Sequence, residues 1–228
     1  MNSQENSTGR PLADTDWLES HHKAKLPERM SFAKRLASLN PKSIVDLGCA
    51  TGLWLEIMNE CLPSDCSFIG IDSDGKSLDE AAQRSDSWDR DVRFLHLDIE
   101  KNANKIPSAD LTLAFNVFPY IVDLETFIEV LARRTPCGTL AVRQYDGASI
   151  RFGPMLTSKR QEMESDLRVS TEHSQHFKHY DMDRVYQTLR NSSYEQASWY
   201  RQESCALFRQ PHKPAVRCGY PSSRVTSR

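Results

Sequence analysis

At 228 residues with a net charge of −2, the chain is long enough to bury one full α/β core with a modest appendage. Its charged residues, 26% of the total, mix both signs, so no global field recruits nucleic acid or an anionic membrane. Six cysteines at 49, 61, 66, 137, 205 and 218 form neither a Cys-x-x-Cys pair nor a Cys/His metal spacing; with no apolar leader-like segment and no apolar run of spanning length, the expectation is a reduced, soluble, cytoplasmic protein, monomeric or homodimeric.

Residues 1–12 are polar and read as a loose tail. From 15 to 39 the pattern is helical, with Pro27 expected to restart it as the first turn of a second segment; Met30, Ala33, Leu36 and Ala37 line one face, and Asn40-Pro41 ends it. Residues 43–52, Ser-Ile-Val-Asp-Leu-Gly-Cys-Ala-Thr-Gly, organise the rest of the chain. Ile44, Val45 and Leu47 predict a short buried strand, and the glycines let the backbone turn sharply and approach a ligand. A helix over 53–62 begins at once, with Trp54, Ile57, Met58 and Cys61 on one stripe. The second strand, 67–71, delivers Asp72 twenty residues after Gly52. An acid there can accept hydrogen bonds from both ribose hydroxyls of an adenosine ligand, or simply open the turn that leads to the short helix 77–84. The third strand, 92–97, ends at Asp98-Ile99, and the fourth, 109–115, at Asn116-Val117-Phe118-Pro119-Tyr120. A helix with Leu124, Phe127, Ile128 and Leu131 on its stripe closes at Gly138. The fifth strand, 139–145, ends in polar residues. Residues 148–180 interrupt the alternation with an apolar loop and a charged helix over 157–169. A helix over 181–190 and strands over 194–200 and 205–209 complete the pattern, and the chain from 210 is expected to be loose.

The turn Asp46-x-Gly48-x-x-x-Gly52 is neither a dinucleotide fingerprint nor a P-loop. It resembles motif I of the class I S-adenosylmethionine-dependent methyltransferases, Asp/Glu-x-Gly-x-Gly-x-Gly, with Ala50 in place of the middle glycine. The resemblance extends through the later strand ends and covers residues 43–145. It implies S-adenosyl-L-methionine as cofactor. It also implies an α/β, Rossmann-like doubly wound seven-stranded sheet, mostly parallel with one antiparallel strand, plus a helical cap. The corresponding organisation is one methyltransferase domain over 13–210, with a lid at 13–40, a cap insertion at 148–180 and a loose tail at 211–228. Carried onto this sequence, Asp46, Gly48, Cys49 and Gly52 form the first cofactor loop. Asp72 and Ser73 take the ribose, Asp98 and Ile99 the adenine, and Asn116 and Val117 lie beneath the sulfonium.

Acceptor residues are less defined. Trp17 can pack over the site from the lid or anchor a surface helix. Tyr120, with Phe115 and Phe118, supplies aromatic faces suited to a cation, or fills core. Arg143 and Arg151 would suit a carboxylate or phosphate, though surface charge explains them as well. A hydroxyl acceptor needs a base, whereas an amine needs only to arrive neutral; His22, Tyr145 and His179 are the candidates. His173, His176 and His179 recur every third residue, but no acidic partner is evident and no metal is expected. The function these expectations define is methyl transfer to a nitrogen or oxygen of a small metabolite, possessing a carboxylate or phosphate if the arginines bind it. The alternatives are methylation of RNA or protein, and a non-catalytic cofactor-binding member of the fold.

Overall fold

The structure, a computed structural model, describes residues 14–135, 138–144, 154–172, 182–200 and 205–209. Seven strands form one sheet in the order β3-β2-β1-β4-β5-β7-β6: β1 Ser43–Leu47, β2 Ser67–Asp72, β3 Val92–His96, β4 Leu111–Phe115, β5 Thr139–Arg143, β6 Glu195–Tyr200 and β7 Cys205–Arg209. The first five run parallel, and β7 pairs antiparallel with both β5 and β6. The order reverses between β1 and β4, so a crevice opens beyond their carboxyl ends, where open α/β sheets bind ligands.

Continuous burial of β1, β4 and β5 follows from helices on both faces. On one face Ile44, Leu113, Phe115 and Ala141 meet Phe32 and Leu36 of helix α1 (Thr15–Ala37) and Trp54, Ile57 and Met58 of α2 (Leu53–Cys61). On the other, Val45, Leu47 and Val142 meet Phe127, Ile128 and Leu131 of α4 (Leu124–Arg134) and Val185 and Leu189 of α6 (Met182–Asn191). Helix α3 (Gly75–Ser85) follows β2, and α5 (Thr157–Glu172) follows β5. Strand β3, at the sheet's edge, has no fully buried residue and leaves Arg93 and His96 exposed.

Four expectations are corrected. Pro27 does not restart a helix; it lies inside the single 23-residue α1. Proline in a helix interior costs about 3 kcal/mol, and tertiary packing offsets that here: His22, Arg29, Phe32, Ala33 and Leu36 make one buried stripe across the proline. Asp14 caps the start, its carboxylate accepting from the N–H groups of Asp16 and Trp17. Strand β5 ends at Arg143 rather than at 145, α5 extends to Glu172, and Asn191 falls within α6 rather than capping it.

Candidate cofactor and substrate site

The loop after β1 is the centre of the site. Gly48 (φ 67°), Ala50 (φ 45°) and Gly52 (φ 78°) all occupy left-handed backbone, and Gly52 opens α2. Glycine is favoured at 48 by that conformation and by space, since a Cβ there would lie a tight 3.1 Å from Val117 Cγ2. Ala50 holds a conformation costing an L-residue about 1–2 kcal/mol. It is held by Asp72, whose Oδ2 accepts from the Ala50 N–H at 2.8 Å, while Oδ1 accepts from Asp74 N–H at 2.9 Å. An ionised carboxylate has about four acceptor positions, so Asp72 shapes the loop and still has lone pairs for a ligand. Burial raises its carboxyl above the usual range, although these N–H donors pull it down.

Asp46, on β1 beneath the loop, is 2% exposed, and its Oδ2 has no hydrogen-bond partner. Burial first, and the nearby Asp72 second, push its carboxyl well above the normal range. A buried, orphaned acid beside a second acid is unfavourable alone and favourable next to a cation. The Cys49 side chain turns into the sheet: its Sγ lies 2.8 Å from where a Cβ on Gly70 would stand.

The other strand ends converge on this loop unequally. Asn116 (φ 56°) and buried Val117 close the far wall, tied to β5 by Asn116 N–H to Arg143 O at 2.7 Å. Ser73 is exposed and its carbonyl accepts from His96 Nε2 at 2.8 Å. Ile99 is buried among Leu47, Ile71 and Val117 as floor. Asp98 is already engaged by its own turn. Its Oδ1 accepts from the N–H groups of Glu100 and Lys101, and its Oδ2 pairs with Lys101 Nζ at 2.8 Å. Burial alone would raise this carboxyl, but Lys101 and the N–H donors hold it below the usual range. Asp98 therefore first caps its own turn.

On the acceptor side one open alternative is resolved and one expectation changes. Phe118 is fully buried and meets Phe127 edge-on at 6.4 Å, so it is core rather than a face for a cation. His22 is buried and its Nδ1 lies 2.8 Å from Arg29 Nη1. Because guanidinium only donates, Nδ1 must accept and Nε2 must carry the hydrogen. His22 is thus placed as a donor, not as a base. His21 is bound in the same way, with Nδ1 3.0 Å from Arg29 Nη2. Trp17 is 57% exposed and stacks on His21 at 4.9 Å. Tyr120 is half-buried in a 3-10 turn, Phe118–Tyr120, after β4. Arg143 is 8% exposed, within 3.3 Å of Glu28. Tyr145, Arg151 and the histidines at 173, 176 and 179 lie outside the described residues. No metal-holding cluster of His, Cys, Asp or Glu occurs among the described residues.

Three residues that sequence reasoning missed organise the site. Arg29 gathers the two histidines. Arg84 of α3 donates from Nε to Thr51 O at 2.8 Å, and its other nitrogens reach Glu56 of α2 and Glu19 of α1. Arg184 of α6 donates to the carbonyls of Ile121 and Val122, fixing the turn after β4. The signal for Arg29 was present: it follows His22 by two helical turns on the buried stripe.

Burial, then Arg29, lowers the pKa of both His21 and His22 below the ordinary 6.5. Below pH 6.5 the unfolded chain therefore binds more protons than the folded one, so these residues lose stability as pH falls through that window. The wild type should lose more melting temperature between pH 7 and pH 5 than His21→Asn/His22→Asn, whose amide oxygens still accept from Arg29. Equal pH slopes in the two proteins would contradict this placement.

A doubly wound sheet with a left-handed glycine loop and an acid at the end of β2 defines the open α/β nucleotide-binding class. Within it, residues 45–141 match the family profile described as "Methyltransferase domain". The chain is 32% identical over 122 residues to the malonyl-[acyl-carrier protein] O-methyltransferase of Halalkalibacterium halodurans, covering 51% of this chain and 44% of that one. It is 33% identical over 88 residues to the tRNA (guanine-N(7)-)-methyltransferase of Chloroflexus aurantiacus, covering 38% and 39%. The chain thus spans less than half the length of these curated relatives. A SAM-dependent methyltransferase from Aquifex aeolicus has the same fold, with a TM-score of 0.60 at 15% identity over 86% of this chain and 97% of that one. The matched segment is a methyltransferase domain of the class I S-adenosylmethionine-dependent family, whose cofactor is S-adenosylmethionine. The residues fit that group: Asp46 offers an orphaned buried acceptor to its cationic end, and Asp72 keeps lone pairs for its ribose.

Proposed function

We propose that the protein transfers a methyl group from S-adenosylmethionine to a nitrogen or oxygen of a small metabolite. The supporting observation is the meeting of Asp46, Gly48, Asp72 and Val117 at the switch point of the sheet. When bound, the cofactor supplies a methyl group on a positively charged sulfur. Asp46 is assigned to the amino-acid end, Gly48 and Gly52 to close backbone approach, and Asp72 with Ser73 to the ribose. Ile99 and Val117 form apolar surfaces for the ring and sulfonium regions. Such positioning in a site closed to water accounts for about 7–11 kcal/mol of a displacement barrier.

The domain is assigned to residues 13–210, with α1 as lid and the 148–180 segment as cap. Trp17, Tyr120 and Arg143 are assigned to the acceptor side, and Arg143 favours an acceptor bearing a carboxylate or phosphate. Arg151 belongs to the same proposal by sequence, as do Tyr145 and His179 as bases. No helix among the described residues is long and apolar enough to cross a membrane.

Tritium transfer from methyl-labelled cofactor tests the reading, with a low-molecular-mass extract, transfer RNA and total protein offered in parallel. Label should enter the small-molecule fraction. Label in RNA alone would instead favour the reading suggested by the Chloroflexus relative, and label in protein alone a protein substrate. Cofactor binding without transfer to any fraction would favour a non-catalytic member.

A further inference from the structure

Pro27 divides helix α1 into two parts that are held in different ways. Proline has no N–H to give the carbonyl of Lys23, four residues back, and its ring crowds that carbonyl, so the helix is weakest there. Beyond it α1 joins the core: Phe32, Ala33 and Leu36, with Met30 and Ala37 beside them, pack with Trp54, Ile57 and Met58 of α2. Ahead of it no apolar side chain of α1 is buried; Trp17 is 57% and Leu26 38% exposed, and Leu18 is half-buried. This leading segment, 15–26, meets the body of the domain through charge, Glu19 pairing with Arg84 of α3.

One side chain ties the two parts together across the proline. Arg29, itself buried, reaches back to His22 Nδ1 at 2.8 Å and to His21 Nδ1 at 3.0 Å. Both bonds need an imidazole with a bare Nδ1, because guanidinium only donates. A proton on Nδ1 sets donor against donor and cation against cation. The other charges around the rings do not reverse this. His21 lies in the field of Arg29, Arg143, Lys25 and Glu28, and His22 in that of Arg29, Glu56, Glu19 and Arg84. Burial and Arg29 outweigh the carboxylates and hold both imidazoles below their ordinary 6.5. The tie is therefore complete at neutral pH and is lost as the pH falls below 6.5.

We propose that residues 15–26 form a lid hinged at Pro27, which Arg29 holds closed through His21 and His22 and which protonation of those imidazoles releases. Its action as a lid rests on the methyl-transfer reading; the hinge and its tie do not. Arg29 is a positioning residue, acting through the two imidazoles. Glu19 seats the closed lid, since the Arg84 that meets it also donates to Thr51 O at 2.8 Å in the glycine loop. Once released, so short a helical segment is marginal in water. The swing also breaks the bonds that the N–H groups of 28–30 make back across the proline.

Hydrogen exchange of the full chain, corrected for the intrinsic effect of pH, tests the hinge. Between pH 7 and pH 5, protection over 19–26 and 28–30 should fall at least about tenfold while that over 32–37 changes less than about twofold. In His21→Asn/His22→Asn the amide oxygens accept from Arg29 at either pH, so protection should stay within about twofold. Pro27→Ala, at an exposed position, restores the missing N–H and should limit the loss to about threefold; it keeps the test decisive if the double variant does not fold. Equal losses over 19–26 and 32–37, or a loss of wild-type size in either variant when folded, would overturn the proposal. Stopped-flow release of S-adenosylhomocysteine reads the lid: the rate should rise about tenfold more between pH 7 and pH 5 in the wild type than in Pro27→Ala. The same rise in both would overturn the lid. No binding of S-adenosylhomocysteine by the wild type would instead remove the methyl-transfer reading and leave the exchange result standing.

Discussion

Asp72→Ala should lower affinity for S-adenosylhomocysteine at least about 100-fold, measured by calorimetry. Two charge-assisted hydrogen bonds to ribose contribute about 1.5–3 kcal/mol each, which alone gives that factor. The substitution also removes the acceptor that holds the Ala50 N–H at 2.8 Å, releasing the left-handed turn around Ala50 (φ 45°). Asp72→Asn should fall between, since its amide retains one acceptor oxygen. Circular dichroism must show folded protein in both cases. Affinity within threefold of wild type in a folded Asp72→Ala would remove the ribose assignment and, with it, the central support for the cofactor site.

The largest effect on stability is expected from Phe118→Ala. The side chain is fully buried between the turn after β4 and Phe127 of α4, and truncating such a residue costs about 3–5 kcal/mol. Urea denaturation would read this as a lower midpoint with an unchanged slope. Arg184 also donates toward the Phe118 carbonyl, so the cavity lies below a turn that a second element holds from outside. A loss below about 1 kcal/mol would mean the ring carries little of the core.

The sheet was legible because parallel strands buried on both faces are short apolar runs, and Ile44-Val45 and Leu111 to Phe115 are that pattern. Asp46, Gly48 and Asp72 could be placed at one crevice because their positions follow from local backbone and fixed spacing. Arg29 is hidden by the expectation that Pro27 starts a second helical segment. That expectation divides α1 between His22 and Arg29, separating two polar residues of one buried face, and only packing against α2 reveals the stripe as continuous. For Phe118 the sequence left two alternatives open at the strand end, and the 3-10 turn decides between them by placing its ring in the core. Asp98 stood at the expected position as well, yet Lys101, three residues on, competes for its carboxylate. Position along a chain fixes which residues approach a crevice; rotation of a turn and a neighbouring charge decide which side chains face it.

Arg84 separates the roof of the crevice from its floor. Its Nε bond to Thr51 O and its contacts with Glu56 join α3, α2 and the glycine loop without help from α1. Only the Glu19 contact reaches upward. If the first turns of α1 swing aside to admit an acceptor, the guanidinium retains two of its three anchors, and the cradle below keeps its shape. With α1 as the proposed lid, substitutions along it would change which molecules enter while leaving the floor intact.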